Sequence, residues 1–286
     1  MGKRKVEKKE VTQKVDNAQD NYVNEQLKRV SNEAIEALNL IGEVLEAIDK
    51  QDKEKAIEAC EKSLGKIEVL LARDPNLSQV PVDIREQVID YPGTVDDIVH
   101  TKEVLKELIE DDELQAARDI MLNLASELDI FITLLPVGAY PAAIKGIIPL
   151  IEAGDFQEAK KLLIEILDTL VLEKIVIPLP VLRAQKAIER ASDLTKGKDD
   201  ANKEELKELL EYAKEQLLLA QALGYGKVKE DYKDLLDEIE KIESILADKD
   251  KGTKDIFEEL KEKLNKYMAT FNKIHKAKEM PKAEEK

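Results

Sequence analysis

A helix–turn–helix unit followed by a short, β-branched, proline-bounded stretch occurs three times in this chain, and that recurrence constrains the fold more than any other feature. Leu27, Val30, Ala34, Leu38, Ile41, Leu45 and Ile48 fall at a 3–4 spacing that predicts one face of a helix. Ile57, Cys60, Leu64, Ile67 and Leu71 predict the next. The polar link Asp49-Lys50-Gln51-Asp52 is short enough to make the two helices antiparallel neighbours, with Asp52 as an N-cap. The unit returns as Leu114, Ala117, Met121, Leu124 and Leu128 after Asp111-Asp112, and as Phe156, Ala159, Leu163, Ile166 and Leu170 after Gly154-Asp155. Each turn carries Asp-x-x-x-Ala (Asp52/Ala56, Asp112/Ala116, Asp155/Ala159), and a proline follows about twenty residues later at Pro75, Pro136 and Pro178.

After each second helix come Val80 to Ile84, Ile130 to Leu134 and Val171 to Leu179, which lack helical spacing and predict buried extended chain. Three such pieces pair into a small β-sheet or pack as apolar struts. Helix starts follow at Thr94, at Tyr140-Pro141 and at Pro180-Val181, proline being at home in a first helical turn. Further helices are predicted at about 181–197 and 203–222, the latter closed by Gly224 as a C′ residue. Two more follow through Tyr232 to Leu246 and Ile256 to Ile274. The expectation is a mainly α fold, an irregular array of antiparallel helical hairpins with short extended apolar segments. Residues 1–16 are expected as a disordered charged leader and 17–180 as the hairpin repeat region. Residues 181–275 are expected as a C-terminal helical region packed on the first, and 276–286 as a charged tail.

Charge removes several function classes. With 45 Lys and Arg against 61 Asp and Glu the net charge is −16, which repels a phosphate backbone and argues against nucleic acid as a partner. The uncharged run from Ile130 to Ile144 is too short to span a bilayer and contains Pro136 and Pro141, so no membrane span is expected. No apolar segment follows the basic start, which suits a cytoplasmic chain; a protein whose signal peptide had been removed would read identically and belong in the periplasm or outside the cell. The abundance of Lys and Glu with one Cys and no Trp predicts a thermostable chain, melting above about 60 °C.

Catalytic spacing is sparse. His100 has Asp97 three residues before it, but no second ligand at metal spacing accompanies either His100 or His275, and no cofactor is expected. Cys60 lies on an apolar stripe between Glu58 and Glu61, the setting of a structural rather than a reactive thiol. Acid pairs such as Asp96-Asp97, Asp111-Asp112 and Asp199-Asp200 read as caps and turns. What stands out is a set of tyrosines and arginines beside the apolar segments: Arg73, Tyr91, Tyr140, Arg183 and Tyr225 form the candidate interaction groove, the alternative being arginines that pair with carboxylates to hold packing.

These blocks carry a resemblance. Ala72-Arg73-Asp74-Pro75 leading to Val80-Pro81-Val82-Asp83 belongs to it, as does the stretch from Leu128-Asp129 to Tyr140-Pro141. So do Val176 to Pro180 with Leu182-Arg183-Ala184-Gln185, and Leu219 to Gly226. Together they resemble the longer members of the YfdX family over about residues 30–245. The resemblance implies a mostly helical soluble protein linked in some bacteria to acid and drug stress, with no catalytic residue set to carry over. The expected function is a non-enzymatic stress-associated binding or scaffold protein, its partner a small apolar ligand or a polypeptide. The competing expectation is an enzyme using carboxylates and tyrosines in an inter-hairpin cleft, which would need two acids about 5–9 Å apart. A third is a homo-oligomer joined through the apolar segments.

Overall fold

Each predicted turn is built the same way, by a left-handed residue followed directly by the N-cap of the next helix. In a computed structural model, which describes residues 2–195, 203–226, 229–247 and 254–274, Gln51, Asp112 and Gly154 have φ of 56°, 60° and 83°. The next N–H in each case, that of Asp52, Glu113 or Asp155, reaches back five residues to the carbonyl of Ala47, Leu108 or Leu150 at 2.8, 2.8 and 2.9 Å. This 6→1 closure ends the first helix and starts the second without a spare residue. Four residues beyond each N-cap lies a buried alanine, Ala56, Ala117 or Ala159. The second turn therefore sits one residue later than the Asp112/Ala116 pattern places it. Asp112 tolerates the left-handed conformation, so Glu113 becomes the cap, and Ala116 is exposed.

The chain is mainly α, with eleven helices and a three-stranded antiparallel sheet among the described residues. The order is α1 (Gly2–Leu27), α2 (Asn32–Asp49), α3 (Lys53–Arg73), β1 (Val80–Ile89), α4 (Val95–Glu110), α5 (Leu114–Met121), β2 (Glu127–Leu135), α6 (Tyr140–Ala153), α7 (Phe156–Leu167) and β3 (Val171–Pro178). Then come α8 (Leu179–Thr195), α9 (Lys203–Leu223), α10 (Lys229–Ala247) and α11 (Lys254–Ile274). The extended segments are thus strands and not struts; they pair in the order β1-β2-β3, leaving the most buried strand in the middle. Residues 2–16, expected as a disordered leader, lie in α1, where Val11 and Val15 are buried; two valines four apart suffice for one side of the helix to pack. The charged tail 276–286 and His275 lie outside the described residues.

The chain divides into two units, and not at residue 180. One unit is Tyr22–Arg85 with Ile130–Lys174, the other Met1–Asn21, Glu86–Asp129 and Ile175–Lys286. Every strand contains a division point, so consecutive hairpins fall in alternate units: α2–α3 and α6–α7 in one, α4–α5 with the C-terminal helices in the other.

The unit of α2–α3 and α6–α7 is a four-helix arrangement in which α3 packs on α6 and α2 on α7. Ser31 caps α2, Asp52 caps α3 and Asp155 caps α7 by side-chain hydrogen bonds to Ala34, Lys55 and Glu158 N–H at 3.3, 3.2 and 3.4 Å. Ile41, Val44, Ile48, Cys60, Ile67, Ile144, Ile147, Ile151 and Leu163 form one apolar cluster. The predicted stripe holds from Ala34 onward; Leu27 is exposed because α1 ends there and the chain turns. The other unit packs α8 on α9 and α11, and α9 on α10, around Ile188, Leu210, Leu217, Ile239, Ile242, Leu260 and Leu264. Pro180 lies in the first turn of α8 as expected, and Gly224 ends α9 with φ 87°.

Candidate functional site

The residues singled out in the sequence divide between the units. Arg73 and Tyr140 belong to the α2–α3/α6–α7 unit; Tyr91, Arg183 and Tyr225 belong to the other. Arg73, in the last turn of α3, donates to Glu33 at 2.8 Å and ties the end of α3 to the start of α2. The Glu33 backbone N–H, and after it the Arg73 guanidinium, hold the Glu33 carboxyl below its ordinary range. Tyr140 is fully buried at the start of α6, and its hydroxyl donates to the Ile166 carbonyl at 3.1 Å. Burial raises its phenol pKa, so it is a fixed donor in the core. Tyr91 folds its ring back over Gly93, close to where a Cβ would stand.

Arg183 and Tyr225 are parts of one polar network whose hub is Ser126, a residue with no distinguishing motif in the sequence. Ser126 is buried just ahead of β2 and uses all its polar groups. Its N–H donates to the Tyr225 hydroxyl at 2.8 Å, its hydroxyl donates to Asp90 Oδ1 at 2.8 Å, and its carbonyl accepts from Leu179 N–H at 2.9 Å. Asp90, just past β1, takes a bidentate pair from Arg183 on α8, Nη1 to Oδ1 at 3.0 Å and Nη2 to Oδ2 at 2.6 Å. The Tyr225 hydroxyl donates in turn to Glu127 Oε2 at 2.8 Å.

The far end of the network is a tyrosine triangle. The Tyr225 carbonyl accepts from the hydroxyls of Tyr232 on α10 and Tyr267 on α11, which lie 2.6 Å from each other with their rings edge-on at 5.4 Å. Gly226 makes this possible: φ is 102°, and the Tyr267 hydroxyl occupies the space a Cβ would need. The network thus joins the end of β1, the start of β2, the start of α8 and the end of α9 to α10 and α11.

Its electrostatics are those of a brace. Burial raises the Asp90 carboxyl, but the Arg183 guanidinium and the Ser126 hydroxyl outweigh it and hold the net value below the ordinary range. Burial, reinforced by the Glu127 charge, pushes the Tyr225 phenol far up, so it stays protonated and donates. Tyr212 is likewise raised by burial, against the pull of Arg183. One signal was available for Asp90, its position next to Tyr91. None marked Ser126 or Glu127, which look like any serine and glutamate between a helix and a strand.

A cleft of about 290 Å³ lies at the α2–α3 turn, lined by Glu43, Glu46, Lys50, Asp52, Lys55, Glu58 and Lys62 among others. Three of its four acids are paired: Glu46 with Lys50 at 3.2 Å, Asp52 with Lys55 at 3.0 Å, Glu58 with Lys62 at 2.7 Å. Lys55 and Lys62 hold Asp52 and Glu58 below the carboxylate range, the opposite of what a general acid needs. His100 is exposed on α4 with Nδ1 3.9 Å from Glu103, while Asp97 is turned to Thr94 in a capping box at the helix start. Burial pushes the Cys60 thiol up to about 11. No group of three or more His, Cys, Asp or Glu among the described residues has the arrangement of a metal site, and no described helix is long and apolar enough to cross a membrane.

Comparison with known proteins finds a family that the hairpins resemble. Residues 37–176, from α2 to β3, match the family described as YfdX protein. The match stops short of the likeness read to residue 245 and leaves α8 to α11 outside it. Among solved structures, one described as YfdX of Salmonella Typhi is 13% identical, with a TM-score of 0.38 over 52% of this chain and 93% of that one. No curated protein matches. Over residues 37–176, just under half of its length, the chain is similar to the YfdX family.

Proposed function

We propose that this chain is a non-enzymatic, stress-associated binding or scaffold protein of the YfdX type, with a polypeptide as its partner. The observation that carries the reading is the use to which the arginines and tyrosines are put. Arg73, Tyr140, Arg183 and Tyr225 direct their polar atoms at Glu33, the Ile166 carbonyl, Asp90 and the Ser126–Glu127 pair, so they hold helices to strands and to one another. The lowered carboxyls of the α2–α3 cleft support the same reading, because acid–base catalysis by two carboxyls needs one of them raised. Interaction is then left to the surface of the hairpins.

The test uses a permanently unfolded polypeptide, reduced and carboxymethylated α-lactalbumin, titrated with the full chain by fluorescence anisotropy. Saturable association is expected, unchanged in Tyr225→Phe and Asp90→Asn at a temperature where both remain helical. Failure to associate would overturn the reading. So would turnover of p-nitrophenyl glycosides, phosphates or esters that falls in those two variants.

A further inference from the structure

The three hairpins share a build but not a fate. Counting from the N-caps Asp52, Glu113 and Asp155, the position four before is isoleucine in all three: Ile48, Ile109 and Ile151. The position eight after is Cys60, Met121 and Leu163. In α2–α3 and α6–α7 these residues are 2%, 0%, 1% and 1% exposed and belong to the single cluster those hairpins form by packing on one another. In α4–α5, Ile109 is 49% and Met121 57% exposed. Leu114 and Leu122, at the two ends of α5, are exposed as well. The second hairpin keeps the apolar positions of a hairpin–hairpin seam, and no described helix covers them.

The surroundings of that seam indicate what it takes. Between residues 103 and 119 there are seven carboxylates, Glu103, Glu107, Glu110, Asp111, Asp112, Glu113 and Asp119, against two cations, Lys106 and Arg118. All seven carboxylates are on exposed residues, and Lys106 lies 3.6 Å from Glu110. Exposed apolar residues on a hairpin this rich in exposed carboxylates complement a helix with one apolar face and basic flanks. The same charge disfavours a second copy of the same hairpin, which would bring seven more carboxylates to the contact.

We infer that the exposed face of α4–α5 is a docking site for a basic amphipathic helix of a partner polypeptide, seated as α2–α3 and α6–α7 seat on one another. The inference rests on the polypeptide-binding reading above and specifies its place and chemistry. A partner helix of about 12–16 residues, roughly 18–24 Å long, spans the hairpin.

The probe is a labelled 18-residue peptide of leucine and lysine, with leucines at i, i+3 and i+4, titrated with the full chain in moderate salt. It should bind saturably at one to one. The same peptide with glutamate in place of lysine should bind at least about tenfold more weakly. Met121→Ser with Leu122→Ser should weaken the lysine peptide at least about tenfold, whereas Val69→Ser with Ile164→Ser, exposed apolar residues of the other unit, should leave it unchanged. A second variant, Glu110→Gln with Asp112→Asn, should weaken binding severalfold and flatten its salt dependence. Equal binding by the Met121/Leu122 variant, or by the two peptides, would overturn the site. So would a concentration-dependent dimer that the Met121/Leu122 variant abolishes, which would assign the face to a second copy. If unfolded α-lactalbumin binds but the lysine peptide does not, the docking site fails and the binding reading stands.

Discussion

The two units are held by different chemistry. In the α2–α3/α6–α7 unit the interior is apolar, and ion pairs sit at its rim: Lys160–Asp49 at 2.6 Å, Lys145–Glu68 at 2.8 Å and Arg73–Glu33 at 2.8 Å. In the other unit an apolar helical core is joined by a polar brace running from Arg183 through Asp90, Ser126 and Tyr225 to Tyr232 and Tyr267. Apolar burial is non-directional and tolerates small shifts, whereas a hydrogen-bonded brace demands each partner and penalises the loss of one. The first unit should therefore feel volume, and the second should feel single atoms and pH.

The largest expected effect is a difference between equivalent positions. Leu163→Ala should cost about 2–5 kcal/mol because the side chain is fully buried and leaves a cavity. Met121→Ala, at the same place in the exposed hairpin, should cost under about 0.5 kcal/mol. Urea unfolding of both variants checks it, and similar losses would mean that α4–α5 is covered.

Next is Tyr225→Phe. It keeps the ring but leaves the buried Ser126 N–H without its acceptor and removes a donor to Glu127, so about 1–3 kcal/mol should be lost. A near-zero change in denaturant midpoint would show that the brace contributes nothing to stability.

The pH prediction concerns Asp90. Its folded carboxyl pKa is lowered, so its stabilisation is fully present above the unfolded value of about 3.9 and is lost as pH falls through the folded value. With the carboxylate about half exposed, the pair is worth about 1 kcal/mol after solvent screening. Asp90→Asn should lower stability by a constant amount from pH 7 to about pH 5, and the gap from the parent should close below about pH 4. Thermal unfolding followed by circular dichroism across that range decides the sign; a gap that widens toward acid would refute it.

The smallest effect tests the turns. Gln51 holds φ 56°, a conformation unfavourable to a side chain, where its counterpart Gly154 has no such cost. Gln51→Gly should stabilise by about 0.5–1 kcal/mol, seen as a rise in melting midpoint.

Much of the architecture was legible in the residues. The 3–4 spacing, the capping Asp52 and Asp155, and the prolines at helix starts locate the hairpins, because helix periodicity and caps are local properties of the chain. The second turn lies one residue later than the Asp112/Ala116 spacing predicts, since Asp111-Asp112-Glu113 offers adjacent acids and backbone conformation decides which of them caps. Of the candidate groove, Arg183 and Tyr225 do meet in one network, but through Asp90 and Ser126, whose roles depend on partners many positions away.

By itself the sequence determined that this would be a mainly α chain of repeated hairpins with β-branched links, because period, capping and turn chemistry act over a few residues. Only the tertiary structure decided which hairpins share a core. Ile48, Ile109 and Ile151 are the same residue in the same place, yet two are buried and one is not. Burial depends on what the rest of the chain brings alongside. The alternation imposed by three antiparallel strands puts α4–α5 in a different unit from the hairpins it resembles.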